Sequence, residues 1–358
     1  MTQPAAPAPA LPVLGVAVVA FDSTDIILDC LESLLAARGV RLVVAVVDNA
    51  SRDGTAAAIR DWASGRVAWV PPADLPFPLA PAPKPLDFTD GPAPDPVAGP
   101  GHRITLIESG VNRGFAGGVN LGLAELARYA EIDRFWVLNP DSVVPPETPA
   151  AFATHPAGEF SLMGGRVTYY DRPDMVQIDG GTVDRRTGVT GNVNLRRSVQ
   201  ETAAPDPATL DFITGASMVA SRRFYETVGP MREDYFLYYE EVDWALRRGA
   251  LPLALCPEAR VYHRAGSAIG SPAPGRIASP FSLYFKYRGR MLFVRRHLPR
   301  SLPGAWAYTL AKAVQYRLKG HRAEAAAMLA GARDRTIPAH VRDRLGPEAV
   351  ALIASSQR

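Results

Sequence analysis

Two acidic segments contain the residue types that group-transfer chemistry needs. The segment FLYYEEVDWALRR combines Glu240, Glu241 and Asp243 with aromatic residues at the start of a predicted helix. About a hundred residues earlier, the segment WVLNPDSVV is a predicted strand that ends near Asp141. A carboxylate at a strand end suits a metal-bound phosphate, and a carboxylate on a second element suits a proton acceptor. Together the segments predict transfer of a group from a phosphorylated donor to a hydroxyl.

The carboxylates of the later segment are expected to have different roles. Adjacent Glu240 and Glu241 point about 100° apart on a helix, so one of them positions an acceptor or braces the loop while the other abstracts a proton. Asp243 and Arg247 are four residues apart and predict an ion pair on the helix surface. A charged, solvated helix is the alternative, but four aromatic residues within positions 235–239 favour a surface for sugar rings.

The elements that must position these residues alternate between strands and helices. Continuous β-branched apolar runs predict strands that are buried on both faces of a parallel sheet. These runs are 13–21, 42–47, 104–107 and 135–138. A segment whose apolar residues recur at helical spacing follows each of the first three runs. The pattern predicts a doubly wound, mostly parallel α/β layer.

Several candidate ligands follow these predicted strands directly. Asp48 ends the second run, the loop NRGFAGGVN follows the third, and Asp141 follows the fourth. Because ligands of open parallel sheets bind beyond the carboxyl ends of strands, one edge of the sheet should collect all three. Asp48 could accept a hydrogen bond from a nucleobase imide or a ribose hydroxyl, or it could simply cap the turn that follows.

The loop NRGFAGGVN offers a further set of contacts to a diphosphate. Gly114 permits close backbone approach, the helix start can present free N–H groups, and Asn112 and Asn120 add side-chain donors. Helix–strand packing also selects glycine, so the loop has a structural alternative. It matches neither the dinucleotide-binding fingerprint nor a P-loop.

A divalent cation is expected at Asp141. Mg²⁺ and Mn²⁺ prefer hard oxygen ligands and share them with diphosphate oxygens. One carboxylate is a minimal protein contribution, and His263, in the segment ARVYHRAGS, is the candidate second ligand. The alternative for His263 is a purely structural role.

Composition divides the 358 residues into three parts. Hydrophobic residues make up 47% and charged residues 21%, which is typical of a globular protein. Residues 1–12 are predicted to be a disordered lead-in. Residues 13–280 are predicted to form the α/β domain, and residues 281–358 a mainly helical region. Prolines occupy 11 of the 30 positions in 71–100, which predicts a surface insertion without packed elements.

Cysteine content and hydropathy indicate in which cellular compartment the protein is expected. No apolar run reaches the roughly 18 residues that a membrane span needs. The two cysteines, Cys30 and Cys256, are too few for a disulfide framework and favour a reducing cytoplasm.

Charge is unevenly distributed along the chain. The net charge of +3 is too weak to predict binding to nucleic acid, but residues 281–358 contain 15 Lys/Arg and 4 Asp/Glu. The preceding 280 residues therefore have a net charge of 3 − 11 = −8. Aromatic and basic residues interleaved in this way predict contact with an anionic membrane surface or a lipid phosphate. A helical subdomain that packs on the α/β layer is the compatible alternative.

Six motifs in order resemble the family 2 glycosyltransferases, most closely the rhamnosyltransferase-like and galactofuranosyltransferase-like branch. The motifs are VVDNASRDGT, NRGFAGGVN, LNPDS, TGASMVASRRFYETVG, FLYYEEVDWALRRG and ARVYHRAGS. The resemblance covers residues 13–296. It implies a GT-A fold, a nucleotide-diphosphate-sugar donor such as dTDP-rhamnose or a UDP-sugar, Mg²⁺ or Mn²⁺, and inversion by direct displacement. It also suggests a glycan or polyprenyl-diphosphate-linked acceptor at the cytoplasmic face of the membrane, in polysaccharide synthesis.

The resemblance also implies roles for individual residues. Asp48 would contact the nucleoside, and Asn112 and Gly114 would line the sugar-diphosphate path. Asp141 and His263 would hold the metal, and Glu241 would be the base.

The sequence departs from the family pattern in three places. Asn139 replaces the first acid of the usual Asp-x-Asp motif, and Gly289 replaces an asparagine of a tyrosine–arginine–asparagine segment. Glu241 replaces the commoner aspartate, so Glu240 and Asp243 remain alternative bases. A nucleotidyltransferase is one competing function, although no basic phosphate-gripping residue lies in 21–25. A catalytically silent sugar-binding protein is the other.

Overall fold

The β-branched runs of the sequence form the middle of one large sheet. The computed structural model describes residues 10–264 and 277–355. The main sheet has ten strands in the order β3-β4-β2-β1-β5-β11-β7-β12-β6, with β8 paired to β7, and a two-stranded sheet joins β9 and β10. The strands are β1 (Val13–Ala20), β2 (Arg41–Asp48), β3 (Asp87–Asp90), β4 (Arg103–Glu108), β5 (Arg134–Leu138), β6 (Ser142–Val143), β7 (Leu162–Tyr169), β8 (Val176–Ile178), β9 (Gly181–Val183), β10 (Thr190–Asn192), β11 (Ser217–Ser221) and β12 (Ala254–His263).

Helices cover both faces of the sheet and make up most of the C-terminal region. The helices are α1 (Ile27–Leu35), α2 (Thr55–Ser64), α3 (Gly114–Ala127), α4 (Thr148–Thr154), α5 (Arg222–Val228), α6 (Glu240–Leu246), α7 (Pro280–His297), α8 (Leu302–Leu318), α9 (Arg322–Arg333), α10 (Ala339–Arg342) and α11 (Pro347–Ser355). Alternate residues of β1 belong to different hydrophobic clusters: Ala17 and Val19 pack on one face, Val16 and Val18 on the other. This confirms the predicted α/β layer with strands buried on both faces.

Parallel pairing brings the predicted strand ends to one edge. The strands β3, β4, β2, β1 and β5 all run parallel. In this register Ala20 lies opposite Asp48, and Asp48 lies opposite Glu108. The loops that follow β1, β2, β4 and β5 therefore leave the sheet at the same edge.

One expectation about the connections is wrong. Residues 71–100 do contain a packed element, because Asp87–Asp90 forms the edge strand β3 on β4. This four-residue DFTD strand has no apolar run to mark it and is defined by its partner. The strands β9 and β10 pair in antiparallel register as a hairpin. Residues 1–9 of the predicted lead-in lie outside the described residues.

The C-terminal region is mainly helical, as predicted, and is joined to the α/β layer by a buried arginine. Arg288 of α7 is fully buried. It donates to the carbonyl oxygens of Asp234 and Tyr235 at 2.6 and 3.2 Å and to Asp334 at 2.7 Å. Within the described part of the chain, no helix combines the length and hydropathy needed to cross a membrane.

Candidate active site

A cavity of about 630 Å³ opens where the parallel strands end. Its size is within the range of small-molecule sites, roughly 300–1,000 Å³. Ser23 after β1, Asn112 after β4 and Asp141 after β5 lie in its wall, and Lys286 of α7 contributes from the C-terminal region. The cavity is therefore built jointly by the sheet edge and the helical region.

Strand pairing brings Asp141 and His263 together. His263 is the last residue of β12 and pairs with Ser142 of β6, the residue after Asp141. His263 Nε2 lies 3.1 Å from Asp141 Oδ1, and both residues line the cavity. Two ligands about 2.1 Å from one cation and at right angles to each other are about 3 Å apart. The spacing of the pair fits a shared divalent cation.

Gln177 sets the orientation of the His263 ring. Gln177 Oε1 lies 2.7 Å from His263 Nδ1, so Nδ1 donates the proton in this hydrogen bond. In the neutral ring, the lone pair of Nε2 then faces Asp141 Oδ1, with Asn139 Nδ2 at 3.2 Å from the same nitrogen. A lone pair and a carboxylate oxygen at this distance repel unless a proton or a metal cation lies between them. The donor set therefore suits Mg²⁺ or Mn²⁺.

The start of α3 uses its N–H groups within the protein. The N–H of Arg113 donates to Asn49 Oδ1 at 3.0 Å, and that of Gly114 to Asn112 Oδ1 at 2.9 Å. The N–H of Phe115 donates to the carbonyl of Phe236 at 2.7 Å. The expectation that this helix start presents free N–H groups to a diphosphate is thus wrong for these three donors. Asn112 and Gly114 still line the cavity.

Gly114 joins the two predicted functional loops. Its φ is +71°, and a Cβ atom at this position would lie 2.2 Å from the carbonyl oxygen of Phe236. Only glycine permits this approach. The aromatic segment before α6 is itself strained, because Phe236, Tyr238 and Tyr239 have φ values of 65°, 67° and 74°. Such backbone conformations persist only where the surroundings enforce them, and they concentrate at functional sites.

Glu240 and Glu241 begin α6 behind the cavity wall. Glu241 is half-buried, whereas Glu240 is only 3% exposed. Gly215 lies against Glu241, since a Cβ on Gly215 would lie 3.8 Å from Glu241 Cβ, and its neighbours Thr214 and Ala216 line the cavity. One oxygen of each carboxylate, Oε2, is buried without a hydrogen-bond partner among the described residues.

Burial changes the proton affinity of both carboxylates. It raises the pKa of Glu241 to about 7, against the opposing influence of backbone N–H groups and the Lys286 ammonium. Burial and the neighbouring Glu241 carboxylate raise the pKa of Glu240 well above its usual value. A carboxylate with a pKa near neutrality is suited to accept a proton, and its greater exposure favours Glu241 over Glu240.

Asp243 has a structural role. It is fully buried and accepts hydrogen bonds from His297 Nε2 and Arg247 Nε at 2.8 Å each and from the Tyr235 hydroxyl at 3.2 Å. Burial acts to raise the pKa of Asp243, but His297 and Arg247 outweigh it and lower the pKa. The expected pair with Arg247 is present, although it is buried rather than on the surface.

Asp48 and Asn120 lie outside the set of described residues that line the cavity. Asn120 bonds to the backbone of Met231 in both directions at 2.9 Å, and to Glu233 at 3.0 Å. Asp48 is buried and accepts from the N–H of Ser51 at 3.2 Å, and burial raises its pKa. Asn120 thus holds a loop in place, and Asp48 caps a turn. Donor binding by the two residues stays a prediction.

Four residues of the site were not identified from sequence. Lys286 and Arg196 bring positive charge to the cavity, Gln177 orients His263, and Asn49 holds the Asn112 loop. Asn49 follows the predicted strand end at position 48, which was an available signal. Gln177, Arg196 and Lys286 come from elements distant in sequence, so local patterns could not identify them.

Comparisons with known proteins give distant similarities. No protein-family model matches the chain. It is 25% identical over 195 residues to the low-salt glycan biosynthesis hexosyltransferase Agl10 of Haloferax volcanii, covering 53% of this chain and 59% of that protein. The chain thus spans about three fifths of the relative's length.

Two solved structures match most of the chain at low identity. The mannosyltransferase PcManGT from Pyrobaculum calidifontis, in complex with GDP-Man and Mn²⁺, is 16% identical, with 90% of this chain and 86% of that chain covered and a TM-score of 0.49. TarS 1–349 of S. aureus is 12% identical, with 97% and 90% covered and a TM-score of 0.45. Similarity at this level does not fix a reaction or a substrate.

Proposed function

We propose that the chain is a glycosyltransferase that moves a sugar from a nucleotide-diphosphate-sugar to a hydroxyl group of a glycan acceptor. The observation that carries the proposal is the arrangement of Asp141 and His263, 3.1 Å apart in the wall of one cavity, with Glu241 behind a neighbouring part of that wall. Transfer of a sugar to a hydroxyl group requires two components, a site for a cation and a base. The cation-binding pair and the carboxylate of raised pKa supply them. The hexosyltransferase Agl10, the relative found by sequence, is consistent with this class.

In the proposed reaction, the acceptor oxygen attacks the anomeric carbon. A carbon–oxygen bond forms to the acceptor while the bond from the anomeric carbon to the diphosphate breaks. Glu241 takes the hydroxyl proton, and the nucleoside diphosphate leaves with the bonding electron pair. This direct displacement inverts the anomeric configuration.

Negative charge that grows on the departing diphosphate needs compensation. Asp141 and His263 would hold Mg²⁺ or Mn²⁺, which when bound supplies positive charge to the diphosphate oxygens. Lys286 and Arg196 also line the cavity and add positive charge, and burial lowers the pKa of Lys286. These cations take the part that was expected of the N–H groups at the start of α3.

The finer assignment follows the sequence motifs. We propose a metal-dependent family 2 enzyme of the rhamnosyltransferase-like or galactofuranosyltransferase-like branch, with dTDP-rhamnose or a UDP-sugar as donor. The acceptor would be a glycan or a polyprenyl-diphosphate-linked glycan in cell-surface polysaccharide synthesis. The enzyme would act in the cytoplasm, peripherally on the inner face of the membrane. The six ordered motifs and the basic region 281–358 support this assignment.

A donor panel tests the proposed function. The purified chain is incubated with UDP-, dTDP- and GDP-sugars in the presence of Mg²⁺, Mn²⁺ or a chelator, and release of nucleoside diphosphate is measured. We expect one nucleotide class to be bound, as seen by a thermal shift, and to be turned over only with metal.

Other outcomes identify the competing functions. Release of pyrophosphate from a nucleoside triphosphate would indicate a nucleotidyltransferase. A donor-induced thermal shift without turnover under any condition, including with added glycan acceptors, would indicate a sugar-binding protein. Absence of both binding and turnover across the panel would reject the proposal.

A further inference from the structure

The outward face of α8 is mainly apolar. The inward face is marked by Ala305, Thr309 and Ala313, which are buried at a spacing of four residues. At about 100° per residue, the sector opposite Thr309 contains the exposed polar Gln315, the partly buried Gly304 and Tyr308, and six apolar residues. These six, named here the α8 ridge, are Pro303, Ala307, Leu310, Ala311, Val314 and Leu318, and all are exposed.

The exposure of the larger ridge side chains is high. Leu310 is 50% exposed, Val314 56% and Leu318 83%. A helix that lies on a globular protein normally presents polar residues on its solvent side. Here both the inward face and the ridge are apolar, so the sequence of α8 provides for a second apolar contact.

The charged residues on α8 and directly beside it in the chain are all basic. The 17 residues of α8 include Lys312 and Arg317 and contain no Asp or Glu. Arg300 precedes the helix and Lys319 and Arg322 follow it, and all three are exposed. The surrounding region 281–358 has a net charge of 15 − 4 = +11. A partner for this surface should therefore be apolar at its centre and negatively charged around it.

We propose that the α8 ridge docks on an anionic lipid surface, with Leu310, Val314 and Leu318 inserted among the lipid chains and the basic residues at the headgroups. An apolar ridge flanked by arginine and lysine is the pattern of a helix that lies in a membrane interface. Basic groups near an anionic leaflet are attracted to its headgroups. A second copy of the chain fits less well, because two strongly basic regions would face each other without acidic residues on the ridges.

The connection between the ridge and the cavity is short. Arg290 of α7 donates to Thr309 Oγ1 on the inward face of α8, and Lys286, one turn earlier on α7, lines the cavity. A docked ridge would thus leave the helical wall of the cavity about one helix diameter, roughly 10 Å, from the lipid. This deepens the proposed function, since it would bring a lipid-linked acceptor to the site, and its relevance to transfer rests on that function.

The test is cosedimentation of the full chain with lipid vesicles. Vesicles of phosphatidylcholine with phosphatidylglycerol are compared with phosphatidylcholine alone, at low and high salt. We expect binding to the anionic vesicles that weakens with salt, because surface attraction is screened. The double variant V314E/L318E should reduce the partition coefficient roughly tenfold or more, because it replaces inserted apolar groups by charge.

A matched control separates the ridge from general surface effects. Val67 and Val70 are also exposed, at 49% and 78%, and lie in the α/β domain. The variant V67E/V70E introduces the same two charges and should leave vesicle binding within about twofold of the wild type, apart from the small change in net charge. Circular dichroism of both variants checks that they are folded, and R317Q/K319Q should give an intermediate loss.

Three results would overturn the proposal. One is a wild-type chain that stays in the supernatant with anionic vesicles at low salt. Another is an equal loss in V314E/L318E and V67E/V70E. The third is a wild-type oligomer that V314E/L318E converts to a monomer, as measured by light scattering, which would assign the ridge to contacts between copies.

The outcome is separable from that of the proposed function. Nucleoside diphosphate release with a water-soluble acceptor does not require lipid. We therefore expect V314E/L318E to keep that activity while losing vesicle binding. Vesicle binding without any donor turnover would retain the docking surface and reject the transferase.

Discussion

Two pairs of ionisable residues serve the cavity, and the fold supports them in opposite ways. The strand-end pair, Asp141 and His263, is positioned by the register of β6 and β12 and is open to the cavity. The loop pair, Glu240 and Glu241, follows a segment of strained backbone and has buried oxygens without hydrogen-bond partners in the described chain. The first arrangement attracts a cation. The second retains a proton.

The difference has a physical origin in what surrounds each carboxylate. Asp141 faces an imidazole whose other nitrogen is held by Gln177, so the carboxylate and the neutral ring both present lone pairs that a cation can share. Glu240 and Glu241 have lost water, which raises the pKa of both carboxyl groups, and the Glu241 carboxylate raises the pKa of Glu240 further. Similar side chains thus become a ligand in one place and a base in the other.

The largest effect is expected from removing the base of the loop pair. E241Q keeps the size of the side chain and removes its basicity, so transfer should fall about 10²- to 10⁴-fold. Donor binding should stay unchanged, as measured by the thermal shift with the preferred nucleotide-sugar. E240Q is the matched control and should retain most of the activity. Loss in E240Q with full activity in E241Q would assign the base to Glu240.

A large effect is also expected at the strand-end pair, but of a different kind. D141N removes a charged ligand, so the metal concentration needed for half-maximal transfer should rise by roughly 100-fold or more. H263A should act similarly. Because both residues would bind one ion, their effects should not be additive. The double variant should lose less metal-binding free energy than the two single variants lose together. An unchanged manganese titration in D141N would refute its role as a ligand.

Gln177 offers a smaller perturbation of the same pair. Q177A leaves Asp141 and His263 intact but releases His263 Nδ1, and loss of such an outer partner typically costs 10- to 100-fold in metal affinity. Q177E retains an acceptor oxygen and should recover part of the loss. If Q177A and Q177E behave alike in the metal titration, the hydrogen bond does not orient the ring.

The sequence predicted the strand-end pair better than the loop pair for a structural reason. Apolar runs predict parallel strands, and parallel strands bring their carboxyl ends to one edge of the sheet. The position of Asp141 therefore followed from local patterns. The proximity of His263 was implied by motif order. The environment of Glu241 depends on Lys286, which is 45 residues later and on a helix whose docking no local pattern encodes. The edge strand Asp87–Asp90 was missed for the same reason, since β4 rather than its own composition defines it.

The raised pKa of the loop pair predicts a pH dependence that the strand-end pair would not give. A base must be deprotonated, so kcat/KM should fall about tenfold per unit as the pH drops below about 7. The acidic limb of this pH–rate profile should be absent from the residual activity of E241Q. A flat profile between pH 5 and 7 in the wild type would contradict Glu241 as the titrating base.

The same group should affect stability with a defined sign. A carboxyl group whose pKa rises from 4.5 to about 7 on folding binds a proton more tightly in the native state. Its contribution to stability is therefore fully present below pH 4.5 and is lost as the pH rises through about 7. E241Q removes this loss, so its free energy of unfolding should decline less than that of the wild type over this range, as measured by urea denaturation.

The smallest effect is expected where the helical region supports the loop pair. A Cβ at Gly289 of α7 would lie 2.4 Å from the carbonyl oxygen of Tyr238, one residue before the αL residue Tyr239 that precedes α6. G289A should therefore push α7 away from the loop and cost about 1–3 kcal/mol of stability.

Gly331 of α9 provides the control for this last variant, because its Cβ would lie 2.1 Å from the carbonyl oxygen of Tyr284 on α7, a contact that does not involve the loop. G289A and G331A should both lower the melting temperature. Only G289A should also lower kcat, by several-fold, because it alone displaces the segment that holds Glu241. Equal kcat values in the two variants would mean that the strained loop keeps its shape without α7, and that the support for the base lies in the α/β layer.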